Sequence, residues 1–202
     1  YDNKKEGIWQ LGEEAAAAAN GQEPGDIKVQ DVDGNGVITT DDRIIYSQRP
    51  DVTFGFNNTF NYKGFDLSVF LYARLGQWIA YDYNTTYRIN ALENGGNVDY
   101  WTPENPTNAF PRPNKSKSYT QVTYYSTLKY EDGSFFKIRD ITLGYTFKPE
   151  LLKHLNLSRL RVYATAKNFF TFSKIDNYDP EQGGSISFPM TKQLVFGLNV
   201  EF

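Results

Sequence analysis

Residues 31–42 read Asp31-Val32-Asp33-Gly34-Asn35-Gly36-Val37-Ile38-Thr39-Thr40-Asp41-Asp42. Counted from Asp31, side-chain oxygens fall at the first, third, fifth and ninth places as Asp31, Asp33, Asn35 and Thr39. Val37 offers a backbone carbonyl at the seventh place, and Asp42 closes the set at the twelfth. Gly36, at the sixth, permits the sharp turn such a loop needs. A crowd of hard oxygens on a chain that curls around a point suits Ca²⁺, which takes about six to eight oxygen ligands. The spacing predicts that Asp31, Asp33, Asn35, Val37, Thr39 and Asp42 are the ligands, with Ca²⁺ as the ion. Ile38 is expected to turn its apolar side chain away from the ion and into neighbouring packing.

The pattern departs from a sensor EF-hand in two ways: Asp42 stands where a bidentate Glu is usual, and no long helices flank the loop. It is more similar to the shorter dockerin-type loop. The same residues can also close a metal-free hairpin of Asx turns. Without a paired helix to open, the loop is not expected to act as a switch. Other chemistry is sparse. The single histidine, His154, has no cysteine or acidic cluster beside it, and neither a nucleophile with its base nor a Gly-rich phosphate loop occurs, so no catalytic residue and no enzyme is expected. Three aromatic residues of a long irregular stretch, Trp78, Trp101 and Phe110, are candidates for stacking on sugar rings or peptide. The competing reading is that they form that stretch's own small core.

The elements that must position these residues read as strands. In 52–62, Val52, Phe54, Phe56, Phe60 and Tyr62 alternate with polar residues. After Lys63-Gly64 the alternation resumes with Phe65, Leu67, Val69, Leu71 and Ala73, which marks a hairpin over 52–62 and 65–76. Asp66, Ser68 and Arg74 fall on its other face, where a wet interior accepts them more readily than a dry core. A third strand is expected over 134–147. Its apolar phase slips between Ile138 and Ile141, which calls for a β-bulge near Arg139-Asp140. A fourth is expected over 159–172 and a fifth over 191–202, where Leu194, Phe196, Leu198 and Val200 alternate with Gln193, Val195, Gly197, Asn199 and Glu201. Residues 148–157, with Pro149 in the first turn, read as a helical turn, and 13–19 as a short surface helix. The remaining segments, 1–51, 77–133 and 173–190, read as loops.

Composition narrows the class. With 15 Tyr, 15 Phe and 3 Trp but only 40% hydrophobic residues, and no apolar run of about 18 residues, a transmembrane helix is excluded. Aromatic-rich alternating strands suit a membrane barrel with interfacial girdles, although a sugar-binding sandwich shares that composition. A net charge of −3 argues against a nucleic-acid partner. The absence of Cys leaves no disulfide framework and fits an exported bacterial chain. Joined in order, the strands place both short connections on one side and both long ones on the other, as outer-membrane barrels do. Five strands cannot close a barrel in lipid, so the chain is expected to be the C-terminal portion of a larger assembly.

Several stretches, taken in order, resemble the SusC/RagA family of TonB-dependent outer-membrane transporters. They are Pro24-Gly25-Asp26-Ile27-Lys28 leading into Asp31, Tyr62-Lys63-Gly64-Phe65-Asp66-Leu67-Ser68, Trp101-Thr102-Pro103-Glu104-Asn105-Pro106, and Arg139-Asp140-Ile141-Thr142-Leu143-Gly144-Tyr145. Asn168-Phe169-Phe170-Thr171-Phe172, Tyr178-Asp179-Pro180-Glu181 and the final Phe202 continue the series. The resemblance implies an all-β fold in which this chain supplies the last five antiparallel strands of a barrel of about 22 strands with long extracellular loops. It further implies an N-terminal plug, a TonB-contacting segment and a SusD-like surface lipoprotein as partners. The implied setting is outer-membrane lipid, and the implied cargo is oligosaccharides or peptides. The alternatives are a secreted calcium-dependent carbohydrate-binding β-domain, which predicts a soluble fold from these residues alone, and a passive porin.

Overall fold

A computed structural model describes residues 1–90 and 95–202. Of the long loop expected over 77–133, residues 91–94 therefore lie outside the described residues. The chain divides into two compact units, each built from discontinuous segments.

One unit comprises 49–77, 132–182 and 187–202. Its centre is a five-stranded antiparallel sheet. The strands are β1 (Val52–Tyr62), β2 (Phe65–Leu75), β3 (Phe135–Thr146), β4 (Arg159–Ser173) and β5 (Gln193–Glu201). The sheet is a plain meander, because each strand pairs with the next in sequence. Local chemistry sets the short connections. Lys63 and Gly64 both take positive φ (47° and 88°), as a two-residue hairpin turn of the favoured twist requires. Pro149–Leu152 makes one turn of α-helix with Pro at its start and passes into a 3₁₀ turn over Lys153–Leu155. Both connections lie at the same end of the sheet as Glu201, since Phe65 pairs with Tyr145 and Arg159 with Glu201. The long intervening segments leave from the other end.

The register shows why the alternation exists. Phe60, Leu67, Leu143, Ala164 and Phe196 lie side by side across all five strands, and so do Tyr62, Phe65, Tyr145, Val162 and Leu198. These rows share one face. On the opposite face run Asn61, Asp66, Gly144, Tyr163 and Gly197, then Thr59, Ser68, Thr142, Thr165 and Val195. The bulge expected near Arg139 is present. Phe70 pairs with Asp140 and Leu71 with Ile138, so Arg139 is the extra residue toward β2. Toward β4 the break lies between Lys167 and Phe170, where Asn168 adopts φ 58°, a left-handed conformation that Asn tolerates better than most residues.

The other unit comprises 1–48, 78–131 and 183–186. Short antiparallel pairs join Lys5–Ile8 to Ile27–Val29 and Asp2–Asn3 to Arg43–Ile44. Around them Ile8, Ile27, Val29, Tyr87, Ile89, Trp101, Phe110 and Leu128 form a buried apolar cluster. The helix expected over 13–19 spans Glu14–Ala19 and buries Ala17. The segments expected as loops thus hold a small core, as one reading of Trp101 and Phe110 has it. Among the described residues no helix is long and apolar enough to cross a membrane, which says nothing of strands.

Candidate functional site

The Asp31 to Asp42 loop forms as a chain of carboxylate-to-amide hydrogen bonds. Asp31 accepts from the backbone amides of Gly34 at 2.7 Å and Gly36 at 2.8 Å. Asp33 accepts from the Asn35 amide at 3.0 Å, and the Asn35 side-chain oxygen accepts from Val37 at 2.7 Å. Asp42 is buried and closes the loop, accepting from Val32 at 2.8 Å and Thr39 at 2.7 Å. Thr39 and Asp42 cap the 3₁₀ turn Thr40–Asp42 reciprocally. The amide hydrogen bond from Thr39 leads the influences that hold the Asp42 carboxyl below its ordinary range, with those from Val32 and Asp33 adding to it. Gly34 and Gly36 have φ of 73° and 83°, so the curl depends on residues free to adopt a left-handed backbone.

Three of the expected ligands come together: carboxylate oxygens of Asp31, Asp33 and Asp42 all lie within 4.8 Å of one another. Asn35, Val37 and Thr39 occupy the same curl, with Val37 largely exposed. Ile38 turns the other way and packs against the buried cluster, as the spacing predicts.

The aromatic candidates are placed differently from the expectation that they present rings to a ligand. Trp101 is 5% exposed and Phe110 8%, and both belong to the apolar core. The Trp101 indole N–H donates to the Gln10 side-chain oxygen at 2.9 Å, and the Phe110 ring packs 5.1 Å from that of Tyr87. The hydrophobic effect accounts for the difference, because an irregular stretch with few strands must bury its largest rings to hold a shape. Trp78 is half-buried and meets the ring of Tyr46 edge-on at 4.9 Å, while Tyr46 stacks on Tyr130 at 3.9 Å.

On the sheet, the functional feature is the contrast between faces. Phe196 is 75% exposed, Leu198 68% and Phe60 60%, and Phe54, Phe56, Leu143 and Leu194 stand in solvent with them. An exposed apolar face of this continuity marks an interaction with lipid or protein. The opposite face is wet and specific. Arg161 forms a two-pronged ion pair with Asp66, two strands away, at 2.8 and 2.5 Å. It passes over Gly144, where a Cβ atom would stand 2.4 Å from the guanidinium. Tyr163 lies over Gly197 in the same manner, 2.2 Å from where a Cβ would be. The Thr142 and Thr165 hydroxyls bond to each other at 2.8 Å. The sequence marked Asp66 as inward-facing but did not pair it with Arg161. The signal was there in the two glycines, each at a position on the polar face where a large side chain crosses.

A TonB-dependent receptor of Formosa agariphila, named P3, is 30% identical over the whole chain, and SusC of Bacteroides thetaiotaomicron, also a TonB-dependent receptor, is 31% identical over 85% of it. The chain is thus homologous over its length to part of these TonB-dependent receptors, SusC among them. It spans 22% of the length of the first relative and 17% of the second. Among solved structures, the RagAB peptide transporter matches the whole chain with a TM-score of 0.71 at 24% identity, over 22% of its own length, which shows a shared fold. No family model matches the chain. Within a SusC/RagA barrel the two faces of the sheet acquire their meaning. In such a wall one face meets lipid and the other a wet interior, and the apolar and polar rows of this sheet differ in that same sense.

Proposed function

We propose that this stretch supplies five wall strands and a folded external unit to an energised outer-membrane importer. Its cargo is oligosaccharides or peptides, and it works with a SusD-like surface lipoprotein and the TonB complex. The observation that carries the reading is the apolar face continuous across five strands and opposed by a polar one. A water-soluble carbohydrate-binding domain would have to hide that face, and the β1 and β5 edges would leave backbone groups to be paired by further strands. The RagAB peptide transporter is the neighbour that points to a peptide, and the oligosaccharide alternative rests on the resemblance to the SusC/RagA family alone. Burial of Trp101 and Phe110 removes the aromatic argument for glycan. Deletion of the whole gene is expected to abolish growth on one cargo class, with loss of TonB giving the same defect. A strain without the gene that grows normally on both oligosaccharide and peptide sources contradicts the import reading.

The 31–42 loop is proposed to take Ca²⁺ as a structural ion. Asp31, Asp33 and Asp42 supply carboxylates, and Asn35, Thr39 and the Val37 carbonyl complete the oxygen set. In the detergent-purified full-length protein, Ca²⁺ is expected to slow amide exchange through 31–42 and Mg²⁺ to leave it unchanged, with Asp31→Asn and Asp33→Asn abolishing the effect. Equal exchange with Ca²⁺ and with a chelator marks the loop as a metal-free Asx-turn hairpin.

A further inference from the structure

The polar face of the sheet carries a cluster of charges that strand alternation does not explain. Lys137 on β3 is wholly buried, and its ammonium lies 2.6 Å from an Asp179 carboxylate oxygen and 2.8 Å from one of Glu181. Arg139 reaches the other Glu181 oxygen at 3.0 Å. The Thr171 hydroxyl donates to the same Asp179 oxygen as Lys137, at 3.3 Å. The Glu181 amide donates to the second Asp179 oxygen at 3.0 Å, and Pro180 between them is buried.

The cations and the threonine stand on β3 and β4, whereas both carboxylates belong to the segment 174–182 that follows β4. That segment is therefore folded back onto the polar face and tied there. The bulge assists: Arg139 keeps its guanidinium on the polar side, 5.1 Å from the centre of the Tyr72 ring, beside Lys137. A second tie joins Lys174 to Asp132 at 3.0 Å. A buried ammonium stripped of its counter-charges is strongly unfavourable, so removing the carboxylates destabilises the docked arrangement far more than losing a surface pair would.

We propose that Lys137 and Arg139 form the fixed half of a clasp whose mobile half is Asp179 and Glu181. The clasp holds segment 174–182 against the inner wall and narrows the lumen at the end of the sheet remote from Glu201. Widening the passage there requires both carboxylates to leave Lys137. The clasp also sets one wall of a cavity of about 370 Å³, where Asp176, Asn177 and Tyr178 face Asn168, Phe169 and Lys192. This inference rests on the barrel reading, since only a closed wall has a lumen.

The test is amine-reactive labelling of the full-length wild-type protein in native outer membranes, read by mass spectrometry, with Lys174 at 78% side-chain exposure as the internal reference. Lys137 is expected to react at least about tenfold more slowly than Lys174, as a group does when it is reached only through local opening. In the Asp179→Asn/Glu181→Gln double variant, Lys137 is expected to approach the Lys174 rate while the heat-modifiable gel shift of a folded barrel is kept. Equal labelling of Lys137 and Lys174 in the wild type overturns the clasp, as does full protection of Lys137 in a folded double variant. If the double variant does not assemble, the wild-type comparison decides alone. Absence of the heat-modifiable shift from the wild type itself counts against the barrel and not against the clasp.

Discussion

At the scale of single residues, Asp42 shows how one carboxylate sets a loop. It is more acidic in the folded chain than in the unfolded one, so the stabilisation it gives is complete above its unfolded value of about 4 and is lost as pH falls through the folded value. Amide exchange at Val32 and Thr39, which donate to Asp42, is expected to accelerate below about pH 4. In Asp42→Asn that pH dependence is expected to be lost at Val32 and Thr39, because the carboxylate that accepts from their amides is gone, and persistence of the acceleration would place its origin elsewhere. Gly197 argues the reverse case of a residue defined by what it lacks. The Tyr163 ring occupies the space of its Cβ, so Gly197→Val is expected to destabilise the folded barrel by about 1–3 kcal/mol, measured by urea unfolding in detergent. The curl of 31–42 was legible because all its oxygen-bearing residues lie within one short stretch of sequence. The Asp66 to Arg161 pair was not, because its partners are 95 residues apart and only register brings them together.

At the scale of elements, period-2 alternation placed the strands almost to the residue. The expected 52–62 is Val52–Tyr62, and the expected 191–202 is Gln193–Glu201. The phase slip at Ile138 located the bulge, because a strand with one fixed face tolerates no other remedy. What alternation could not show was the folded unit built from 1–48 and 78–131, since its core comes from short, irregular pieces with no period to read. Trp101 and Phe110 were ambiguous for the same reason: a large ring in a loop has the same sequence signature whether it is core or contact. The faces of β5 give the sharpest test at this scale. Leu198→Arg, on the apolar face near the middle of the strand, is expected to cost about 2–4 kcal/mol in the folded barrel, whereas Val195→Arg on the polar face is expected to cost close to none. Equal effects of the two substitutions on unfolding in lipid vesicles would contradict the assignment of faces.

At the scale of the whole molecule, the sheet is meaningful only as part of a closed wall. Its two edge strands present backbone groups that lipid cannot satisfy, and its apolar rows extend across every strand. The chain spans only 22% and 17% of the lengths of P3 and SusC, and on the proposed reading the further strands that close the wall belong to the rest of such a protein. The most direct measurement is a spin-label accessibility scan along β5 in the full-length protein reconstituted in lipid, with single cysteines placed from Leu194 to Val200, a stretch of chain that has no native Cys. The expected result is a strict two-residue period, with Leu194, Phe196, Leu198 and Val200 reached by oxygen dissolved in lipid and Val195, Gly197 and Asn199 reached by a water-soluble nickel reagent. Uniform access of the water-soluble reagent to all seven positions would show that this face never meets lipid, and the barrel-wall reading would fall.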